Sequence, residues 1–241
     1  MATENRLPKI KFCGLTRTAD VTAAIECGAD AIGLNFYKPS PRYVSPETAR
    51  ELSIVSDQRV LRVGVFVNAS PMEVDAVLAI CPLDCIQLHG DETPEWIDEA
   101  SYFPLLQSIF FIKAIAWRGT VADQEKVIAW THNHYPRLLG MLVDAYDPVE
   151  RGGTGKTARW DLLFPRPKEF RNTTILLAGG LTPENISRAI QTAKPDGVDI
   201  ASGIETAPGM KDHSKMRAIA EVSKRMLLNP SLTRRVMNNP G

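Results

Sequence analysis

Two short stretches of this chain place reactive side chains where strands end. In KFCGLTR (residues 11–17) an apolar strand runs to Cys13, and Gly14 and Thr16 turn the backbone away. In MLVDAYD (residues 141–147) a second apolar strand delivers Asp144. A lone thiol among apolar neighbours reads as a small core residue. A carboxyl after Met-Leu-Val must find water or a partner. At the mouth of one sheet the two become a proton-transfer pair, because a thiolate accepts a proton and a carboxylic acid donates one.

Other polar residues fall in comparable places. Strand alternation puts Lys11 and Cys13 on one face, and Gln87 and His89 on another. With Ile86 and Leu88 packed outward, Gln87 and His89 point inward. Asp199 lies between Val198 and Ile200, which predicts an inward carboxylate that is solvated or paired. Arg42 is framed by Pro39 and Pro41, and its planar fork suits a carboxylate; a solvated surface arginine is the bland alternative. LAGGLTPENI (residues 177–186) carries Gly179 and Gly180, and IASGI (residues 200–204) carries Ser202 and Gly203. Small residues with free amides at two such loops predict a phosphate site, against the plainer reading of two tight turns.

Two further patterns fail on inspection. Cys81, Cys85 and His89 recur every four residues, but Cys81 ends a helix before Pro82 while the other two lie on a strand. No fourth ligand is at hand, so no metal is expected. RGGTGKT (residues 151–157) resembles a phosphate-binding loop, yet the pattern needs glycine where Glu150 stands. Its glycines and Lys156 fit a loop that closes over a site after the sixth strand.

The elements that must hold these groups are legible as a rhythm. Eight strand-like runs alternate with helix-like segments from residue 9 to residue 227. Four helix starts share one device, a hydroxyl before proline: Ser45-Pro46, Ser70-Pro71, Thr93-Pro94 and Thr182-Pro183. The expectation is an α/β protein, a single-domain (β/α)8 TIM barrel over residues 1–228, with a polar, flexible tail over 229–241. An open doubly wound sheet is disfavoured, because no G-x-G-x-x-G follows the first strand. The Pro-rich LFPRPKEF (residues 163–170) reads as a surface connection between units six and seven.

Bulk properties narrow the function. The 241 residues carry 28 basic and 28 acidic side chains, a balance that argues against a nucleic-acid or anionic-membrane partner. The polar start, MATENRLPKI, lacks an apolar leader, and four scattered cysteines read as reduced thiols, so a cytoplasmic setting is expected.

Taken together, KFCGLTR, FYKPSPRYVS, VGVFVN, IQLHGDE, LVDAYDPVERGGTGKT, LLAGGLTPEN and VDIASGIE resemble the phosphoribosylanthranilate isomerase family of tryptophan biosynthesis. The resemblance implies a barrel without metal or organic cofactor, acting on a small phosphoribosyl substrate as a monomer or homodimer. It implies an Amadori rearrangement of N-(5-phosphoribosyl)anthranilate to 1-(2-carboxyphenylamino)-1-deoxyribulose 5-phosphate. In its terms Cys13 is the general base and Asp144 the general acid. Arg42 takes the anthranilate carboxylate, the backbone at Gly179, Gly180, Ser202 and Gly203 takes the phosphate, and His89 and Asp199 line the site. Cys13 then needs a lowered pKa, with Lys11 as the candidate cause, and Asp144 a raised one from burial under a closed loop. The chain is longer than compact members near residues 103–109 and 164–172 and in the tail. The rivals are the related histidine-pathway isomerase, which uses two aspartates where this chain has Cys13 for the first, and a phosphate-binding barrel without catalysis.

Overall fold

Each apolar run is short and bounded by glycine or polar residues, so it folds as a buried strand rather than a helix. The computed structural model describes residues 7–133, 135–144 and 159–228. The strands are β1 (Ile10–Cys13), β2 (Ala31–Asn35), β3 (Leu61–Phe66), β4 (Cys85–Leu88), β5 (Phe110–Ala116), β6 (Leu138–Asp144), β7 (Ile175–Ala178) and β8 (Gly197–Ile200). They pair in sequence order, all parallel, and β8 returns to β1 to close the barrel. The expected (β/α)8 architecture is what forms. The Gly-rich loop with Lys156 and the tail over 229–241 lie outside the described residues.

Alternation along each strand sorts its side chains into two cores. Val63, Cys85, Ile112, Leu142 and Leu176 fill the barrel interior. Phe12, Ile32, Ile86, Phe111, Val143 and Ile200 face the helical shell. That shell is α1 (Thr18–Glu26), α2 (Pro46–Ser56), α3 (Pro71–Ile80), α4 (Glu95–Ala100), α5 (Val121–His132), α6 (Ile186–Ala193) and α7 (His213–Leu228). Among the described residues no helix is long and apolar enough to cross a membrane.

Two of the four expected hydroxyl caps form. Ser45 accepts from the Thr48 amide, and Ser70 builds a full capping box with Glu73, each before a proline in the first turn. At the other two, the helix begins later. α4 starts at Glu95 and the Thr93 hydroxyl caps no amide. α6 starts only at Ile186, because the Asn185 side chain takes over: its Oδ1 accepts from the Thr182 amide and its Nδ2 donates to the Gly180 carbonyl. Thr120, which the proline pattern passed over, makes a capping box with Asp123.

Two further features depart from expectation. The segment before β7, expected as a surface connection, is partly built into the core. Trp160, Leu163 and Phe170 are buried, and Phe170 meets Trp117 edge to face at 4.9 Å. After β8 comes a small hairpin, β9 (Glu205–Ala207) and β10 (Met210–Lys211), turned by Pro208 and Gly209 with Gly209 at φ +80°. The Thr16 hydroxyl donates to the Gly209 carbonyl at 2.6 Å and ties this hairpin to the loop after β1.

Replacing Ser70 with alanine removes one amide acceptor and the anchor of Glu73. It should cost about 1 kcal/mol, read as a lower urea midpoint at unchanged m-value.

Candidate active site

Parallel strands that close into a ring all point their carboxyl ends at one face, so every strand-end side chain opens into the same space. Cys13, Arg42, His89, Asp144, Gly179, Gly180, Asp199, Ser202 and Gly203 all line a single cavity of about 630 Å³. The sulfur and the carboxyl nominated from sequence therefore share one chamber.

Beneath the thiol lies a buried ion pair. Register places Lys11 on β1 opposite Asp199 on β8, and Lys11 Nζ donates to Asp199 Oδ1 at 2.7 Å. The carboxylate expected to be solvated or paired is paired. Burial disfavours the ammonium, but Asp199 and Cys13 together outweigh it and hold the Lys11 pKa above its ordinary value. Cys13 lies beside Gly33 of β2, where a Cβ would stand 2.6 Å from the sulfur and 3.1 Å from Lys11 Nζ. Only a hydrogen at that position leaves room for both groups.

The thiol does not behave as the sequence suggested. Burial pushes the Cys13 pKa up, Lys11 pulls it down, and Asp199 pushes it up again. The net direction is upward. Lys11 does face the sulfur, but its charge is already answered by Asp199.

His89 stands at the mouth, with Nδ1 2.6 Å from Gln87 Nε2. Desolvation holds its pKa below the usual imidazole range, against the pull of Asp199 and Asp144. The ring is thus neutral near pH 7. Glu92 braces the loops around it, accepting from the Asn68 and Gly90 amides and from Lys113 Nζ at 2.7 Å. Cys81 and Cys85 are buried away from His89's cavity, Cys81 Sγ lying 3.3 Å from Ser53 Oγ and Cys85 inside the barrel.

On the side of β7 and β8 the chain comes unusually close to itself. Gly179 and Gly180 have φ of +92° and +61°. A Cβ on Gly203 would meet the Leu181 carbonyl oxygen at 1.8 Å. Outside helix and strand ladders, the Gly180, Ser202 and Gly203 amides donate to no backbone acceptor among the described residues. Free N–H groups on small residues make a cradle for an anion.

Arg42 reaches the cavity from the loop after β2, but not as a free fork. Its Nε and Nη2 donate to Glu205 Oε1 and Oε2 at 2.8 and 2.6 Å. Burial opposes ionisation of Glu205, yet hydrogen bonds from Arg42 and Lys211 hold its pKa below the usual carboxylate range. Lys211 Nζ donates to Glu205 Oε1, the Cys13 carbonyl and the Ala201 carbonyl at 2.8, 2.7 and 3.0 Å. Sequence reading assigned no role to Glu205 or Lys211. The A-P-G turn between them was the available signal for a hairpin.

A model of the family described as N-(5'phosphoribosyl)anthranilate (PRA) isomerase matches residues 10–222. The enzyme of that name from Trichlorobacter lovleyi is 39% identical over 91% of this chain and 99% of its own length. That from Thermotoga neapolitana is 39% identical over 90% of this chain and 98% of its own. The crystal structure of the Thermotoga maritima phosphoribosyl anthranilate isomerase superposes with a TM-score of 0.76 at 37% identity, covering 90% and 99% of the two chains. A phosphoribosyl anthranilate isomerase solved with reduced 1-(o-carboxyphenylamino)-1-deoxyribulose 5-phosphate superposes at 0.74 with 34% identity, covering 90% and 99%.

If burial sets the thiol, alkylation of Cys13 by iodoacetamide, followed by peptide mass mapping, should titrate with a midpoint above the ~8.5 of a free thiol. Asp199→Asn removes the carboxylate that opposes the thiolate and should move that midpoint down.

Proposed function

The chain belongs to the N-(5'-phosphoribosyl)anthranilate isomerase family, and we propose that Cys13 and Asp144 are the base and acid of its reaction. It converts N-(5'-phosphoribosyl)anthranilate to 1-(2-carboxyphenylamino)-1-deoxyribulose 5-phosphate, an aldose–ketose isomerisation in tryptophan biosynthesis. The observation that supports the residue roles is the shared cavity: thiol, carboxyl, guanidinium and the small-residue cradle all open into one chamber.

The chemistry divides among these groups as follows. Asp144 donates a proton to the ribose ring oxygen. The anilino nitrogen pushes its lone pair toward C1, the C1–O bond breaks, and an open-chain iminium forms. Cys13 thiolate removes the proton from C2, and the C–H electrons form the C1–C2 double bond while the iminium is neutralised. The resulting enol then tautomerises to the ketone. The iminium supplies the positive charge that Lys11, paired with Asp199, does not. A thiol whose pKa is raised in the empty site is thereby drawn toward thiolate only when the ring has opened, releasing its proton to solvent and regaining one from C2.

Binding follows the same geometry. The cradle at Gly179, Gly180, Ser202 and Gly203 takes the phosphate through amide N–H groups. Arg42 takes the anthranilate carboxylate, end-on through Nη1 and Nη2, since Glu205 occupies its other edge. His89 and Asp199 line the space between, His89 as a neutral hydrogen-bonding ring. Residues 1–228 constitute one catalytic barrel, acting in the cytoplasm as a monomer or homodimer on a small molecule rather than on nucleic acid or membrane. The Thermotoga maritima enzyme is described as dimeric, with monomers generated from it.

Cys13→Ala and Asp144→Asn should each reduce turnover by about 10²–10⁴-fold, followed as loss of phosphoribosylanthranilate fluorescence, with far-UV circular dichroism unchanged. Near-normal turnover in either folded variant removes that residue from its role.

A further inference from the structure

Glu205 and Lys211 are buried behind the cavity wall, on the hairpin that follows β8, and neither lines the cavity itself. We propose that this pair is a specificity-determining support, which makes Arg42 a receptor for a single substrate carboxylate. The proposal rests on the reading that Arg42 holds that carboxylate.

A guanidinium offers two carboxylate-sized edges, one along Nε and an Nη and one across the two terminal nitrogens. Glu205 fills the first with two short bonds. The second has no partner among the described residues, Arg42 lines the cavity, and the two bonds to Glu205 restrict rotation of the side chain. The stem is guided too. It passes over Gly14, at φ +72°, where a Cβ would come within 2.4 Å of Arg42 Cδ. Gly14 follows Cys13 directly, so the arm that reads the carboxylate crosses the chain beside the thiol.

Glu205 alone would be a poor support. Its charge would cancel that of Arg42 and weaken any second carboxylate. Lys211 removes this defect. With two cations and one anion, the triad keeps one positive charge, enough for one carboxylate. The remaining Lys211 donors go to the carbonyls of Cys13 and Ala201. One ammonium thus ties the carboxylate arm to the strand of the base and to the residue before Ser202 in the phosphate cradle.

The discriminating measurement compares two substrates, phosphoribosylanthranilate and the glycosylamine formed from aniline and ribose 5-phosphate, which lacks the carboxylate. The quantity read is the ratio of their kcat/KM values, from which any loss common to both substrates cancels. The wild type should prefer the carboxylate by about 10–100-fold, the worth of a charge-assisted pair. Lys211→Met leaves Glu205 to neutralise Arg42, and the preference should fall by about fivefold or more. Adding Glu205→Gln to that variant restores the single positive charge and should recover much of the preference, which a merely structural role would not do. Should Lys211→Met fail to fold, Lys211→Gln, whose amide still donates to the Cys13 carbonyl, reads the same ratio.

A preference that stays at the wild-type value in these variants, or is not recovered in the double variant, overturns the proposal. Arg42→Ala separates the two readings. If it keeps the preference, Arg42 is not the carboxylate receptor. If it loses the preference while the Lys211 variants keep it, the receptor stands and the support falls.

Discussion

The seam where β8 meets β1 decides the electrostatics of the whole site. Closure of the ring sets Lys11 against Asp199 across 188 residues of sequence and buries both. A pair of this kind is held by its geometry, and removing one partner leaves a stranded charge that costs about 3–5 kcal/mol. Because each charge is consumed by the other, the thiol above sees a nearly neutral floor. Burial then governs Cys13, and the site is quiet until a charged intermediate appears in it.

The same economy of charge recurs around the rim. Arg42, Glu205 and Lys211 form one linked set, and Lys113 with Glu92 another. In each, a buried carboxylate orients a cation while other donors saturate its oxygens. Of the cations in these two sets, only Arg42 lines the cavity that holds Cys13 and Asp144. Charge is thus arranged less to attract a substrate at long range than to point one group in one direction. This suits a chain whose formal net charge is zero.

What could be read from sequence followed the range of the interactions involved. Strand positions were legible because apolar runs are local, and Ser45 and Ser70 because a cap needs only its next three residues. Thr182 was misread since the Asn185 side chain, three residues on, ties back to the Thr182 amide and the Gly180 carbonyl and delays the helix start. Lys11 was correctly placed beside Cys13 by alternation, but the direction of its effect was not legible. The carboxylate that cancels it enters from the last strand. Arg42 was recognisable as a rigid cation, whereas its partner lies 163 residues away and no local pattern joins them. Asp199 and His89 were placed on the correct face by their apolar neighbours alone.

A parallel barrel separates its connections by direction. Those leaving the carboxyl ends build the cavity, and those returning to the amino ends only carry the chain back. The turns at Pro104–Leu106 and Lys168–Phe170 precede β5 and β7. Both therefore belong to the returning set, at the far end from Cys13 and Asp144. Insertions can accumulate there as neutral drift, answerable to solubility and assembly, while the chemistry at the opposite pole stays under separate selection.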